Sequence, residues 1–114
     1  MVEQYEIPDE LLARCVGRTD LVQRVVSSFL QQMDQDIPTL VNVVQEGKAE
    51  DARQVAHRVK GASANVAAEC IRHSAEKLER LASTSQLDDA AANLNDLENS
   101  WHSYRDAAAS FVSS

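Results

Sequence analysis

Apolar residues recur along this chain at steps of three and four, and nowhere do they alternate with polar ones for the length of a strand. Five helical segments follow from that pattern. The first opens at Ile7-Pro8-Asp9-Glu10, where a proline and two acids suit a first turn, and runs through Leu11, Leu12 and Cys15 to a stop near Gly17. Thr19 is the expected N-cap of the second, whose stripe Val22, Val25, Val26, Phe29, Met33, Ile37, Leu40, Val41 and Val44 reaches Gly47. Pro38 removes one backbone bond, yet the stripe continues past it, which predicts one bent helix rather than two. The third helix is expected from about Ala49 to Asn65. The fourth runs from about Ala68 to Ser83 with Ile71, Ala75, Leu78 and Ala82 inward. The fifth starts at Leu87 and carries Leu94, Leu97, Trp101, Tyr104, Ala108 and Phe111 on one seam. Four long amphipathic helices joined by short turns predict an all-α fold, an up-down-up-down four-helix bundle with the short N-terminal helix capping one end. At 114 residues the chain is expected to form a single domain over 1–114, its core spanning about 7–113.

Charge and composition narrow the function. A formal charge of −7 and a pI near 4.8 oppose the clustered Lys and Arg that a nucleic-acid backbone requires, so no nucleic-acid partner is expected. No apolar run approaches the roughly 20 residues of a membrane span, and the acidic N-terminus is unlike a signal peptide, so no membrane contact by this chain is expected. Cys15 and Cys70 have no ligand-spaced neighbours and read as small apolar residues, which fits a cytoplasmic location. Glu69-Cys70-Ile71-Arg72-His73 lacks the Glu-x-x-His spacing of metal-binding bundles, so no metal site is expected. Gly17, Gly47 and Gly61 are too scattered for a nucleotide loop. His73 and His102 read as surface residues, while Met33, Trp101 and Tyr104 read as core.

The chemistry concentrates on the third helix. At about 100° per residue, Ala52, Val55, Val59, Ala62 and Val66 fall inward, and Glu50, Arg53, Gln54, His57, Lys60, Gly61 and Ala64 fall outward. A hairpin turning near Ala68 sets His57 level with Glu79 and Lys60 level with Glu76, to within a residue or two. A carboxylate there can accept the Nδ1 proton of His57 and leave Nε2 as a nucleophile. Lys60, one turn on, offers a charge to phosphoryl oxygens. Gly61 costs the helix about 1 kcal/mol relative to alanine, so it asks for a packing or access reason. Each residue also has a plainer reading: a solvated histidine, a surface lysine, an ordinary surface glutamate.

His57-Arg58-Val59-Lys60-Gly61 followed by Ala62-Ser63-Ala64-Asn65-Val66 resembles the histidine-containing phosphotransfer (HPt) domain of bacterial multistep phosphorelays. Leu78-Glu79, the Gly17-Arg18-Thr19-Asp20 break, the mid-helix proline and the Glu46-Gly47-Lys48-Ala49-Glu50 turn extend the likeness over about residues 7 to 113. The resemblance implies a phosphohistidine carrier, not an enzyme, which accepts a phosphoryl group from one receiver aspartate and passes it to another. His57 is then the phosphorylation site, Lys60 its charge partner, Gly61 the access residue, and Glu79 the support of the imidazole. It further implies receiver domains as partners, docking over Leu11, Leu12, Cys15, Gln54, Arg58, Lys60 and Ala64. Which of the apolar three face outward the pattern leaves open. No cofactor is implied for this chain, magnesium being expected only in the receiver, and a monomer is expected. Free-standing carrier and terminal piece of a hybrid histidine kinase both fit. The competing classes are a four-helix adaptor that is never phosphorylated, a metal or enzymatic bundle, and the phosphotransfer domain of a chemotaxis-type kinase, served directly by an ATP-binding domain.

Overall fold

The computed structural model describes residues 5–113; residues 1–4 and 114, the outer ends of the expected domain, lie outside the described residues. Within them the chain forms α1 (Asp9–Arg14), α2 (Thr19–Gln45), α3 (Ala49–Asn65), α4 (Glu69–Ser83) and α5 (Leu87–Val112), with no strand. Short connections make each long helix antiparallel to the next, and α5 packs back against α2, closing the up-down-up-down ring. The 27 residues of α2 span about 40 Å at the helical rise, close to the 42 Å long axis of the molecule. That helix passes through Pro38 without a break. Its first N–H bond runs from Val22 to the carbonyl of Arg18 at 3.2 Å. Arg18 is therefore the N-cap and Thr19 the first helical residue, so the helix starts one position earlier than an N-cap at Thr19 implies, and no side chain caps that end.

The turns explain why so few glycines suffice. In each of the first four helices the chain leaves through a residue at positive φ: Val16, Gly47, Ala67 and Ser85. Each lies in the same pair of bonds, as at the end of α2, where Gly47 N–H donates to Val44 O at 3.1 Å and Lys48 N–H to Val43 O at 2.9 Å. Glycine, which reaches this conformation without steric cost, holds that position only at Gly47, although Gly17 follows Val16 at φ 74° in the first turn.

The core lies along the stripe each helix turns inward, from Val22, Val26, Met33 and Leu40 on α2 to Leu97 and Trp101 on α5. Phe29 meets the Trp101 ring edge-on at 5.9 Å. The inner face of α3 is Ala52, Val55, Ala56, Val59 and Ser63, with Val66 just beyond it; Ala62 is only half-buried. Ser63 can take the inward position because its hydroxyl bonds back to the carbonyls of Val59 and Lys60, at 2.8 and 3.0 Å. Tyr104 and Phe111 are half-buried at the margin rather than central. Of the two cysteines Cys15 is buried, while Cys70 is exposed on α4, one position before the inward Ile71.

α1 covers the end of the bundle where α2 begins and α3 finishes. Leu11 and Cys15 enter the core. Arg14 donates from Nη1 to the carbonyls of Ala64 and Asn65, at 3.1 and 3.4 Å, tying α1 to the end of α3, where Ala64 O also accepts from Ala67 N–H at 3.1 Å.

Candidate functional site

His57 and Glu79 stand eleven residues on either side of Ala68, the hinge of the α3–α4 hairpin. The geometry follows. His57 Nδ1 lies 2.7 Å from Glu79 Oε2, and the other carboxylate oxygen accepts a hydrogen bond from Lys60 Nζ at 2.7 Å. Glu79 neighbours the buried Leu78 on α4 and is largely covered, its side chain 17% exposed, whereas that of His57 is 64% exposed. Lys60 lies between them at 30%.

Burial pushes the Glu79 carboxyl up, but the hydrogen bonds from Lys60 and His57, with their charges, outweigh it and leave its pKa below the usual glutamate range. Glu79 is thus an anion with no proton to give. An ionised Glu79 calls for the proton of the short contact on His57 Nδ1, and in the neutral ring that leaves the Nε2 lone pair free on a side chain that faces solvent.

Lys60 reaches Glu79 rather than Glu76, a correction to the expected pairing. Helical side chains lean toward their own N-terminus, so on antiparallel helices Lys60 and Glu79 lean toward one another, and the lysine meets a carboxylate one turn beyond its own level. Glu76 instead accepts from Arg72 at 3.3 Å.

Gly61 lies exposed on α3, next to this trio. Its φ is not in the left-handed region, and a Cβ built there meets nothing within 4 Å. Neither backbone conformation nor packing within the chain calls for a glycine at this position.

The residues expected to meet a partner divide in two. Gln54 is exposed, while Leu12 and Ala64 are half-buried. Leu11 at 1% and Cys15 at 6% exposure are core residues and offer no surface, because α1 turns that edge onto the bundle to close it. Arg58 is half-exposed, but its Nε and Nη2 both donate to Asp36 Oδ1, at 3.0 and 2.8 Å, and the Asp36 side chain is 7% exposed. Lys60 is engaged by Glu79 as described.

Two features of this face were absent from the sequence reading. Asp36 interrupts the apolar stripe of α2 between Met33 and Leu40, and it stands as far before Gly47 as Arg58 stands after it, a signal of a cross-hairpin pair. Val16 is 82% exposed at φ 57° in the turn after α1, a bulky apolar side chain presented beside the cap.

His73 and His102 are exposed. Among the described residues there is no group of three or more His, Cys, Asp or Glu placed to hold a metal, and no helix is long and apolar enough to cross a membrane.

A family model for the Hpt domain matches residues 24–110, most of the chain, including all four members of this site. Searches among curated proteins and among solved structures found no match.

Proposed function

The chain belongs to the Hpt domain family, and from that premise we propose that His57 is its phosphorylation site. Membership brings phosphotransfer in phosphorelay signalling and receiver domains as partners. The observation that carries the residue assignment is the Glu79 bridge: one carboxylate holds His57 Nδ1 through one oxygen and Lys60 through the other.

In this reading the Nε2 lone pair attacks the phosphorus of an aspartyl phosphate on the donor receiver. The phosphorus–oxygen bond breaks and the electron pair leaves with the donor carboxylate. The ring becomes a phosphoimidazolium that keeps its Nδ1 proton on Glu79. Delivery is the reverse: an acceptor carboxylate attacks phosphorus, the nitrogen–phosphorus bond breaks, and its electrons return to Nε2. Lys60 turns part of its charge to the phosphoryl oxygens, and Gly61 leaves the approach clear. Magnesium and the acidic pocket that positions the reacting carboxylate belong to the receiver. This chain then acts without a cofactor, as a cytoplasmic monomer and a carrier rather than an enzyme. The docking face is Gln54 and Ala64 on the helix of the histidine, extended over α1 and its turn by Leu12 and Val16.

The test is incubation of the chain with a receiver carrying labelled phosphate. Acid-labile, alkali-stable label should appear on the chain and vanish in His57→Gln. Label that persists in the variant, or a receiver that binds without giving up its phosphate, refutes the assignment.

A further inference from the structure

A phosphoryl group on Nε2 adds close to two negative charges beside a carboxylate, and the lysine available to meet them is already shared with that carboxylate. A second cation is needed, and Arg53 and Arg58 lie on the same helix within about a turn. Arg58 is held by Asp36, and its departure would strand a buried carboxylate.

Arg53 has no such tie. It lies one turn before His57 on the same stripe of α3, where residues four apart are neighbours. Its Nε and Nη2 donate to Glu50 at 3.0 and 2.6 Å. That pair is at the surface, the side chains 36% and 65% exposed, and surface pairs hold their partners weakly. The hydrogen bond and charge of Glu50 raise the Arg53 guanidinium, and the charge of Glu79 adds to them, so Arg53 is within electrostatic reach of the carboxylate that holds the ring.

We infer that Arg53 is a second phosphoryl-binding residue, parked on Glu50 while His57 is bare. On phosphorylation its guanidinium leaves Glu50 and takes two phosphoryl oxygens from the side opposite Lys60. The planar fork of arginine suits such a bidentate contact, which a lysine cannot make. The exchange involves hydrogen bonds alone. It rests on the reading of His57 as the phosphorylated residue.

The experiment loads the full chain from phosphoramidate, a small donor whose phosphorus–nitrogen bond breaks with loss of ammonia as the Nε2–phosphorus bond forms. Phosphorus NMR then follows the phosphoryl pKa, with helicity checked by circular dichroism. Arg53→Gln should raise that pKa by about half a unit, the scale of one screened charge at contact distance. Arg53→Lys should restore part of the shift, and Glu50→Gln, which frees the arginine, should lower the pKa. Arg80→Gln removes an exposed charge beside Glu79 and should move it much less. An unchanged pKa in Arg53→Gln, or an equal shift in Arg80→Gln, overturns the inference. Should Arg53→Gln not fold, an unchanged pKa in Glu50→Gln overturns it alone. Wild-type chain that takes no phosphate on His57 overturns the carrier reading itself, a separate outcome.

Discussion

Removing Arg58 tests whether the helix that bears His57 is pinned to α2 by a buried charge. In Arg58→Met the aliphatic stem keeps its packing, but the Asp36 carboxylate loses both donors to Oδ1 and retains only Gln32, at a long 3.4 Å. Breaking a wholly buried pair costs about 3–5 kcal/mol. The guanidinium here is half in water, its side chain 49% exposed against 7% for Asp36, which argues for the lower range of a charged hydrogen bond, about 2 kcal/mol. With a urea slope of about 1.5 kcal/mol/M, the unfolding midpoint should fall by roughly 1.3 M. Fluorescence of Trp101, 2% exposed in the core, reports the transition. The same change made in an Asp36→Asn background should cost no more than about 0.5 kcal/mol, because a neutral amide there strands no charge. Equal costs in the two backgrounds would refute the pairing argument. So would a single-variant cost below about 0.5 kcal/mol, which would mean that Asp36 finds water or another donor when Arg58 is gone.

Three further outcomes follow from named contacts. The depressed Glu79 pKa means that its ionised form stabilises the fold above the usual glutamate pKa, a contribution lost as pH falls through the lower folded-state value. The stability advantage of wild type over Glu79→Gln should thus be present at pH 7 and shrink toward pH 3 in urea melts, and an advantage independent of pH would contradict the linkage. Gly61→Ala should raise stability by about 0.5–1 kcal/mol, since the added methyl meets nothing, while slowing transfer from a phosphorylated receiver; stabilisation with transfer unchanged would remove the access role. Val16→Gly should stabilise by about 1 kcal/mol or more through relief of a β-branched residue at φ 57°, read as a higher melting temperature, and a lower one would show that Val16 makes contacts worth keeping.

Helical periodicity is a strong reporter of which face turns inward, and it made the bundle legible before any coordinates: the bounds of α3 and the buried set Ile71, Ala75, Leu78 and Ala82 of α4 coincide with the expectation. It also carried the hairpin register far enough to set Glu79 beside His57. Period alone says nothing of the direction in which a side chain leans, and there the reading stopped: Lys60 was aimed at its own level and met Glu79 instead of Glu76. It is equally silent on a short helix with few positions to compare, so Leu11 and Cys15 could not be told from the docking surface they were assigned to. The turns near Gly17, Gly47, Ala68 and Ser83-Thr84-Ser85 are legible in the sequence, but not that Val16, Ala67 and Ser85 take positive φ there, which the closing bonds impose rather than residue preference. Only at Leu11 and Cys15 did a tertiary contact decide; the lean of Lys60 and the positive-φ turns are local backbone geometry that periodicity does not carry. Gly61 is the opposite case: its local cost is plain in the sequence, and no contact within the chain offsets it. Under the proposed function that uncompensated cost is the cost of an open approach to His57, and Gly61→Ala separates the two effects, gaining stability while losing transfer rate.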